Sequence, residues 1–153
     1  MSEPGKLHYL EDLRPGMTFS SVERSVDADE IKAFAKLYDP QPFHLDEEAA
    51  KASLFGGLAA SGWHTAAITM KLLSQGGAPI AGGIIGAGGE IRWPRPVRPG
   101  DVLRVESEVV EVAPSRSRPE RGLATLVSRT YNQNGELVQE MTMKVVAPRR
   151  PAG

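Results

Sequence analysis

The sequence predicts an α+β fold: a single domain in which an antiparallel sheet packs around one long buried helix at about residues 62–75. Three observations predict it. The chain has 153 residues, of which 41% are hydrophobic; that supports one core but not two domains of the usual ~100–150 residues. The second half alternates apolar and polar residues with the period of strands, whereas the first half reads as helix and loop. Between them, residues 63–74 form a helix-length segment with Ala66, Ala67, Ile68, Met70, Leu72 and Leu73 around most of its circumference, the pattern of a buried helix. The domain is expected to span 1–153, with its core over about 13–147 and short flexible ends.

The elements follow in order. Arg14-Pro15-Gly16 is a turn leading into a strand over residues 17–26. Asp27 can cap a helix by accepting free N–H groups of its first turn, with Glu30 placed to complete a capping box. Ile31, Phe34, Ala35 and Tyr38 give that helix one apolar stripe. It must end near Asp39, because Pro40 disfavours helical geometry in the residue before it and Pro42 lacks an N–H. Residues 39–45 then read as a stiff loop. Asp46 caps a short helix ended by Gly56-Gly57, and Ser61 caps the long one, which Gly76-Gly77 terminates. Strands are expected at 84–93, 102–112, 123–131 and 137–146. The turns Arg98-Pro99-Gly100-Asp101 and Asn132-Gln133-Asn134-Gly135, and a loop over 114–122, join the last of them. Short links favour antiparallel pairing.

Composition narrows the function. Lys+Arg 18 against Asp+Glu 19 gives a formal net charge of −1, so no overall positive field draws nucleic acid or an anionic membrane. Cysteine is absent, which removes disulfides, thiolate ligands and a cysteine nucleophile together. Residues 1–6 lack the apolar core of a signal peptide. The least polar stretch, 58–70, is interrupted by Ser61, His64 and Thr65 and is shorter than the ~20 residues of a membrane span. A soluble, cytoplasmic protein is the expectation.

The chemistry-bearing candidates are few. Of the three histidines, His8 has no neighbouring signal, while His44 sits five residues after Asp39 on the proline-stiffened segment. A carboxylate and an imidazole held on one rigid loop can share a water, one removing its proton and the other positioning it. On these residues alone, the plainer reading is that Asp39 ends a helix in an Asp-Pro turn and His44 is a loop histidine bonded to backbone. The histidines are too far apart in sequence to suggest a metal site. The run Gly82-Gly83-Ile84-Ile85-Gly86-Ala87-Gly88-Gly89 lacks the Lys-Ser/Thr of a phosphate-binding loop and precedes a strand, which favours a hairpin or close backbone packing.

Asp39-Pro40-Gln41-Pro42-Phe43-His44-Leu45-Asp46 resembles the Asp-x-Asn-Pro-x-His-x-Asp signature of MaoC-like proteins and (R)-specific enoyl-CoA hydratases. Phe55, the Ser61-Gly62 pair and Trp93-Pro94-Arg95-Pro96-Val97-Arg98-Pro99-Gly100-Asp101 resemble that family's Phe, His-Gly and Pro-Val-x-x-Gly-Asp positions in the same order. The resemblance runs from about Leu13 to Val146. It departs at Gln41, where the family commonly has Asn, and at Ser61, where it commonly has His.

The resemblance implies a hot-dog fold and a hydro-lyase that reversibly hydrates trans-2-enoyl-CoA to (R)-3-hydroxyacyl-CoA. Asp39 and His44 would be the acid/base pair, and the Gly62 backbone N–H, at the positive end of the buried helix, the donor to the thioester oxygen. Gln41, Phe43, Ser61, Trp63, His64, Arg92 and Arg95 are the candidate substrate contacts. Phe43, Trp63 and Met70 would bound the acyl chain, and His64 reads either as tunnel wall or as core. Arg92, Arg95 and Arg98, with Arg116, Arg118 and Arg121 as a second group, are candidates for the phosphates of coenzyme A. No metal or separate cofactor is implied, since coenzyme A belongs to the substrate. A homodimer is expected, because a small sheet around one helix leaves an edge and a helix face to be covered, and family sites lie between subunits. Three alternatives stay open: a non-catalytic acyl-CoA-binding protein, a hydratase of a branched or carboxylated enoyl-CoA, and a thioesterase. Thioesterases of this fold typically carry a carboxylate on or beside the buried helix, and residues 62–74 contain none.

Overall fold

Local capping sets the helical half of the molecule, which a computed structural model describes over residues 5–152. The opening residues 1–4, part of the segment that lacks a signal-peptide core, lie outside the described residues. Asp27 accepts from the Glu30 N–H at 2.8 Å and starts α1 (Ala28–Tyr38). Glu30 does not close a capping box; its carboxylate is held by Arg24 and His64 instead. Asp39 caps α1 as Pro40 requires.

The segment expected as a loop over 39–45 contains a one-turn helix, α2 (Pro42–Leu45). Proline at its first position explains this, since Pro is pre-organised for a helix start and its missing N–H is needed nowhere there. Asp46 accepts from the Ala49 N–H at 3.0 Å and starts α3 (Glu47–Lys51). Ser61 caps α4 (Gly62–Leu72), which runs on into a π turn (Leu73–Gly77). Gly76, at φ 117°, supplies the left-handed residue that ends it.

The expected strand over 17–26 is two short ones, β1 (Thr18–Ser20) and β2 (Arg24–Ser25), both antiparallel to β4 (Val102–Pro114). Ser20 faces Glu106 and Arg24 faces Leu103, so the first strand carries one residue more than its partner and must bulge. Ser21 sits at the break, where its hydroxyl oxygen takes the Val105 N–H at 2.8 Å.

β3 (Gly86–Arg92), β5 (Arg121–Tyr131) and β6 (Leu137–Pro148) complete an antiparallel sheet of order β1-β4-β5-β6-β3. β3 is shorter than expected: it begins at Gly86, and Trp93 leaves the ladder to turn toward α4. Gly89 illustrates the close packing of this strand, since a Cβ there would lie 2.0 Å from the Thr142 carbonyl oxygen. As a sheet edge, β3 is exposed at every position except Ile91.

The sheet curls around α4. Ile68, Leu72 and Leu73 pack in one core with Val105, Val109, Leu126, Val138, Met141 and Val145. The chain leaves one face of α4 open, as expected of a small sheet around one helix. Trp63, Ala67 and Lys71, four residues apart, form an exposed line along it.

A buried hydrogen bond of 2.7 Å between the Thr69 and Thr130 hydroxyls ties α4 to β5. Thr69→Val should destabilise the fold by about 1–3 kcal/mol, because it leaves the Thr130 hydroxyl buried without its partner. The double variant Thr69→Val/Thr130→Val should recover most of that. Urea denaturation of both checks the pair, and a single variant as stable as the wild type would remove it as a structural tie.

Candidate active site

α1, α2 and the start of α4 converge on one carboxylate. Asp39 projects from the end of α1, its own N–H bonded to the Ala35 carbonyl at 2.8 Å. The single turn of α2 swings His44 inward, where it is 4% exposed. His44 Nδ1 lies 2.6 Å from the Ala59 carbonyl oxygen. A carbonyl only accepts, so Nδ1 carries a proton and donates it. This leaves Nε2, 3.3 Å from Asp39 Oδ2, as the atom that gains or loses a proton.

Two further donors hold the carboxylate. Ser61 Oγ–H donates to Asp39 Oδ2 at 2.6 Å, and the Gln41 side-chain amide donates to Oδ1. Burial opposes ionisation of Asp39, but the Ser61 and Gln41 hydrogen bonds and the His44 charge outweigh it, so its pKa lies below the ordinary carboxylate value.

Beside this cluster lies a cleft of about 560 Å³, lined by His44, Phe55, Gly62, Thr65, Trp93 and Arg98 among others. The Gly62 N–H, first of α4, has no acceptor among the described residues. It stands at the positive end of the helix. Trp93 covers the other side of Gly62 so closely that an added Cβ would lie 2.6 Å from its Cε2. The indole N–H donates to Gln139 Oε1 at 2.9 Å, and the ring meets Trp63 edge-on at 5.2 Å. His44, with Asp39 beside it, and Gly62, with its unbonded N–H, therefore border one cleft.

The structure brings some of the expected contacts together and separates others. Gln41 and Ser61 are bonded to Asp39, not turned toward the cleft. Phe43 packs edge-on against His44 at 4.6 Å and against Phe55. Trp63 is 59% exposed on the open line of α4. His64 lies between α4 and α1, stacked on Phe34 at 4.7 Å with Nε2 3.1 Å from Glu30 Oε2. It does not line the cleft. His8 is buried beside Phe19.

Arg92 is exposed on β3, and Arg95 lines the cleft and pairs with Glu136 at 3.1 Å. Arg98 also lines the cleft, but its guanidinium is taken up by the carbonyls of Phe55, Gly57 and Leu58. Arg116, Arg118 and Arg121 are exposed and away from the cleft. Sequence reasoning missed Gln139, Thr65 and the structural use of Arg98. Gln139 carried a signal: it is an amide within an apolar strand, and the structure buries it completely. Among the described residues no three His, Cys, Asp or Glu side chains are grouped to hold a metal, and no helix is long and apolar enough to cross a membrane.

The His64 arrangement has a pH signature. Burial lowers its pKa from the ordinary value near 6.5, with the Glu30 hydrogen bond pulling the other way. The unfolded chain therefore binds a proton at this residue before the folded one does, and its contribution to stability is complete above that value and lost as pH falls below it. Thermal unfolding between pH 7.5 and 5.5 should show a decline that His64→Leu flattens; an equally steep decline in the variant would reject this assignment.

Comparison with known proteins places this chain in a family. The model of the MaoC like domain matches residues 12–132. The crystal structure of a MaoC-like dehydratase from Rhodospirillum rubrum superposes with a TM-score of 0.93 at 61% identity, covering 95% of this chain and 99% of that one. The uncharacterized protein YdeM of Bacillus subtilis is 36% identical over 143 residues, 92% of this chain and 99% of its own length. The 3-hydroxybutyryl-CoA dehydratase of Methylorubrum extorquens is 29% identical over 138 residues, 89% of this chain and 85% of its own. The match over most of the chain, on a hot-dog fold, shows that this protein belongs to the MaoC-like domain family of hydratases and dehydratases.

Proposed function

We propose that this protein is a hydro-lyase that reversibly adds water to a trans-2-enoyl-CoA, giving an (R)-3-hydroxyacyl-CoA. One observation carries the reading: His44, its tautomer fixed by Ala59 and its Nε2 3.3 Å from Asp39 Oδ2, lines a cleft that is also lined by Gly62, whose N–H is unbonded among the described residues. In the hydration direction the water oxygen bonds to the third carbon of the enoyl group while the pair takes up one of its protons. The electron pair of the double bond moves to the thioester oxygen, where the Gly62 N–H and the α4 dipole stabilise the developing enolate. Collapse of the enolate then takes a proton from the pair at the second carbon. His44 Nε2 and Asp39 Oδ2 are 3.3 Å apart, so the proton is assigned to the pair and not to either residue alone. The chemistry needs no metal or separate cofactor. Arg95, which lines the cleft, and Arg92, exposed on β3, are the cations suited to phosphate oxygens of coenzyme A.

The working form is a homodimer on this reading. The free edge of β3 and the exposed Trp63 line of α4 are the surfaces a second copy would cover. Light scattering at micromolar concentration should give a dimer or a multiple of it, and a monomer would contradict this.

The decisive assay follows loss of enoyl-thioester absorbance with crotonyl-CoA and longer chains, with thiol release measured in parallel. Hydration without thiol release supports the proposal. Thiol release that depends on Asp39 would make the protein a thioesterase. Binding without turnover would make it an acyl-CoA-binding protein, and turnover of mesaconyl-type substrates alone would narrow it to carboxylated enoyl-CoA.

A further inference from the structure

Asp39 occupies an awkward place for a carboxylate. It caps the C-terminal end of α1, where the last carbonyls put negative partial charge against it. It is also largely enclosed, with its side chain 17% exposed. Both features favour the protonated acid. Two neutral side chains from different directions oppose them. Gln41, the N-cap residue of α2, donates its amide to Oδ1. Ser61, the N-cap residue of α4, donates its hydroxyl to Oδ2 at 2.6 Å.

The Ser61 hydroxyl is not free to turn round. Its oxygen accepts the Trp63 N–H at 3.2 Å as the helix cap, so its single proton is directed away from the helix and toward Asp39. The residue is 1% exposed, which leaves no competing solvent. The positive end of α4 is thus linked through one hydroxyl to the carboxylate 22 positions earlier in the chain. Among the described residues His44 is the one titratable side chain whose charge acts on Asp39.

We infer that Ser61 and Gln41 are positioning residues for the acid/base pair: together they hold the Asp39 carboxylate ionised and rotated so that Oδ2 faces His44 Nε2. The inference rests on the hydratase reading for its kinetic consequences and departs from the substrate-contact roles that resemblance suggests for both residues. A substrate contact and a carboxylate clamp have different kinetic signatures. Loss of a contact that binds substrate and transition state equally raises KM and leaves kcat alone. Loss of the clamp leaves substrate binding intact, misaligns the pair and makes Asp39 easier to protonate, so kcat falls and the acidic limb of the pH profile moves upward.

The test compares wild type with Gln41→Ala, Ser61→Ala and Ser61→Thr, using crotonyl-CoA between pH 4 and 9. In parallel, the Asp39 carboxyl is titrated by NMR in protein carrying 13C in its aspartate side chains. Gln41 is exposed, so its replacement tests the clamp without threatening the fold. Each Ala variant should lower kcat about tenfold with KM changed less than about twofold. Each should also raise the acidic limb and the Asp39 titration by roughly half a unit or more. Ser61→Thr, which keeps the hydroxyl, should restore both. The inference is overturned if Gln41→Ala and Ser61→Ala raise KM at unchanged kcat, or if the Asp39 titration stays where it is in both. Should the wild type hydrate no enoyl-CoA, the hydratase reading fails, and the carboxyl titration still decides whether the clamp exists.

Discussion

Asp39→Asn is expected to lower kcat for crotonyl-CoA hydration by a factor of about 10²–10⁴, the usual worth of a positioned general acid or base, while leaving the melting temperature close to that of the wild type. The two side chains have the same shape, so the amide oxygen can still accept the Ser61 hydroxyl at the distance now held by Oδ2, 2.6 Å. What the amide cannot do is carry a negative charge or take a proton from water. The amide nitrogen also cannot accept from Gln41, whose side chain must rotate; it is exposed and can do so at little cost. The fold should therefore survive and the chemistry should not. His44→Gln probes the other half of the pair: it can keep a donor toward Ala59 but offers no titratable atom toward Asp39. Because the two residues act as one unit, the double variant should be little worse than either single one. An Asp39→Asn protein within tenfold of the wild-type rate would remove the pair from the mechanism. A collapse of thermal stability in the same variant would instead show that the carboxylate is mainly structural.

The parts of the fold that sequence exposes are those decided by near neighbours. Asp27, Asp46 and Ser61 each cap the helix they were expected to cap, because a cap is a contact across two or three residues. The four long strands appear close to their expected places for the same reason, since alternation is a local property. Errors arise where register or distant partners decide. The strand expected over 17–26 breaks at Ser21 because its partner β4 has one residue fewer to match it, a mismatch present in neither segment alone. Residues 39–45 read as loop because two prolines dominate the reading, yet Pro42 starts a helical turn. The helix at 62–72 reads as buried from its composition, but which residues form its open face, Trp63, Ala67 and Lys71, depends on how distant strands pack against it.

The candidate site divides in the same way. Asp39 and His44 are five residues apart and could be paired on spacing, but spacing alone favours an ordinary turn. The contact of Ser61 with Asp39, the covering of Gly62 by Trp93 and the anchoring of Trp93 by Gln139 join residues 22, 31 and 46 positions apart. No periodicity encodes such contacts. Arg98 shows the opposite hazard. Its charge beside a possible phosphate site invites a ligand role, whereas the structure spends its guanidinium on three carbonyls of the 55–58 loop.

Gly62→Ala should be as damaging as a change at the pair itself, although it adds one methyl group to a helix. Elsewhere in a helix the exchange would stabilise by up to about 1 kcal/mol. Here the new Cβ would lie 2.6, 2.7 and 2.9 Å from three atoms of the Trp93 ring. The ring is 39% exposed and can retreat only by breaking its N–H bond to Gln139 at 2.9 Å and its edge contact with Trp63. If the indole moves, Gln139 loses its side-chain partner while fully buried, since its Nε2 has none. If α4 moves instead, the Gly62 N–H and the Ser61 hydroxyl are displaced together, disturbing both the thioester donor and the Asp39 carboxylate. Either response should cost about 1–3 kcal/mol of stability, the range for overpacking. A donor displaced by about 1 Å from a developing oxyanion should cost about 10²-fold in kcat. Trp93→Ala identifies the cause. Added to Gly62→Ala it removes the clash, so the double variant should be more stable than the two single effects predict, with a coupling of at least about 1 kcal/mol. Melting curves and crotonyl-CoA kinetics on the four proteins complete the cycle. Additive losses, or a Gly62→Ala enzyme with wild-type kcat, would show that α4 can accept a side chain at its first residue and that its N–H is not held where the thioester oxygen needs it.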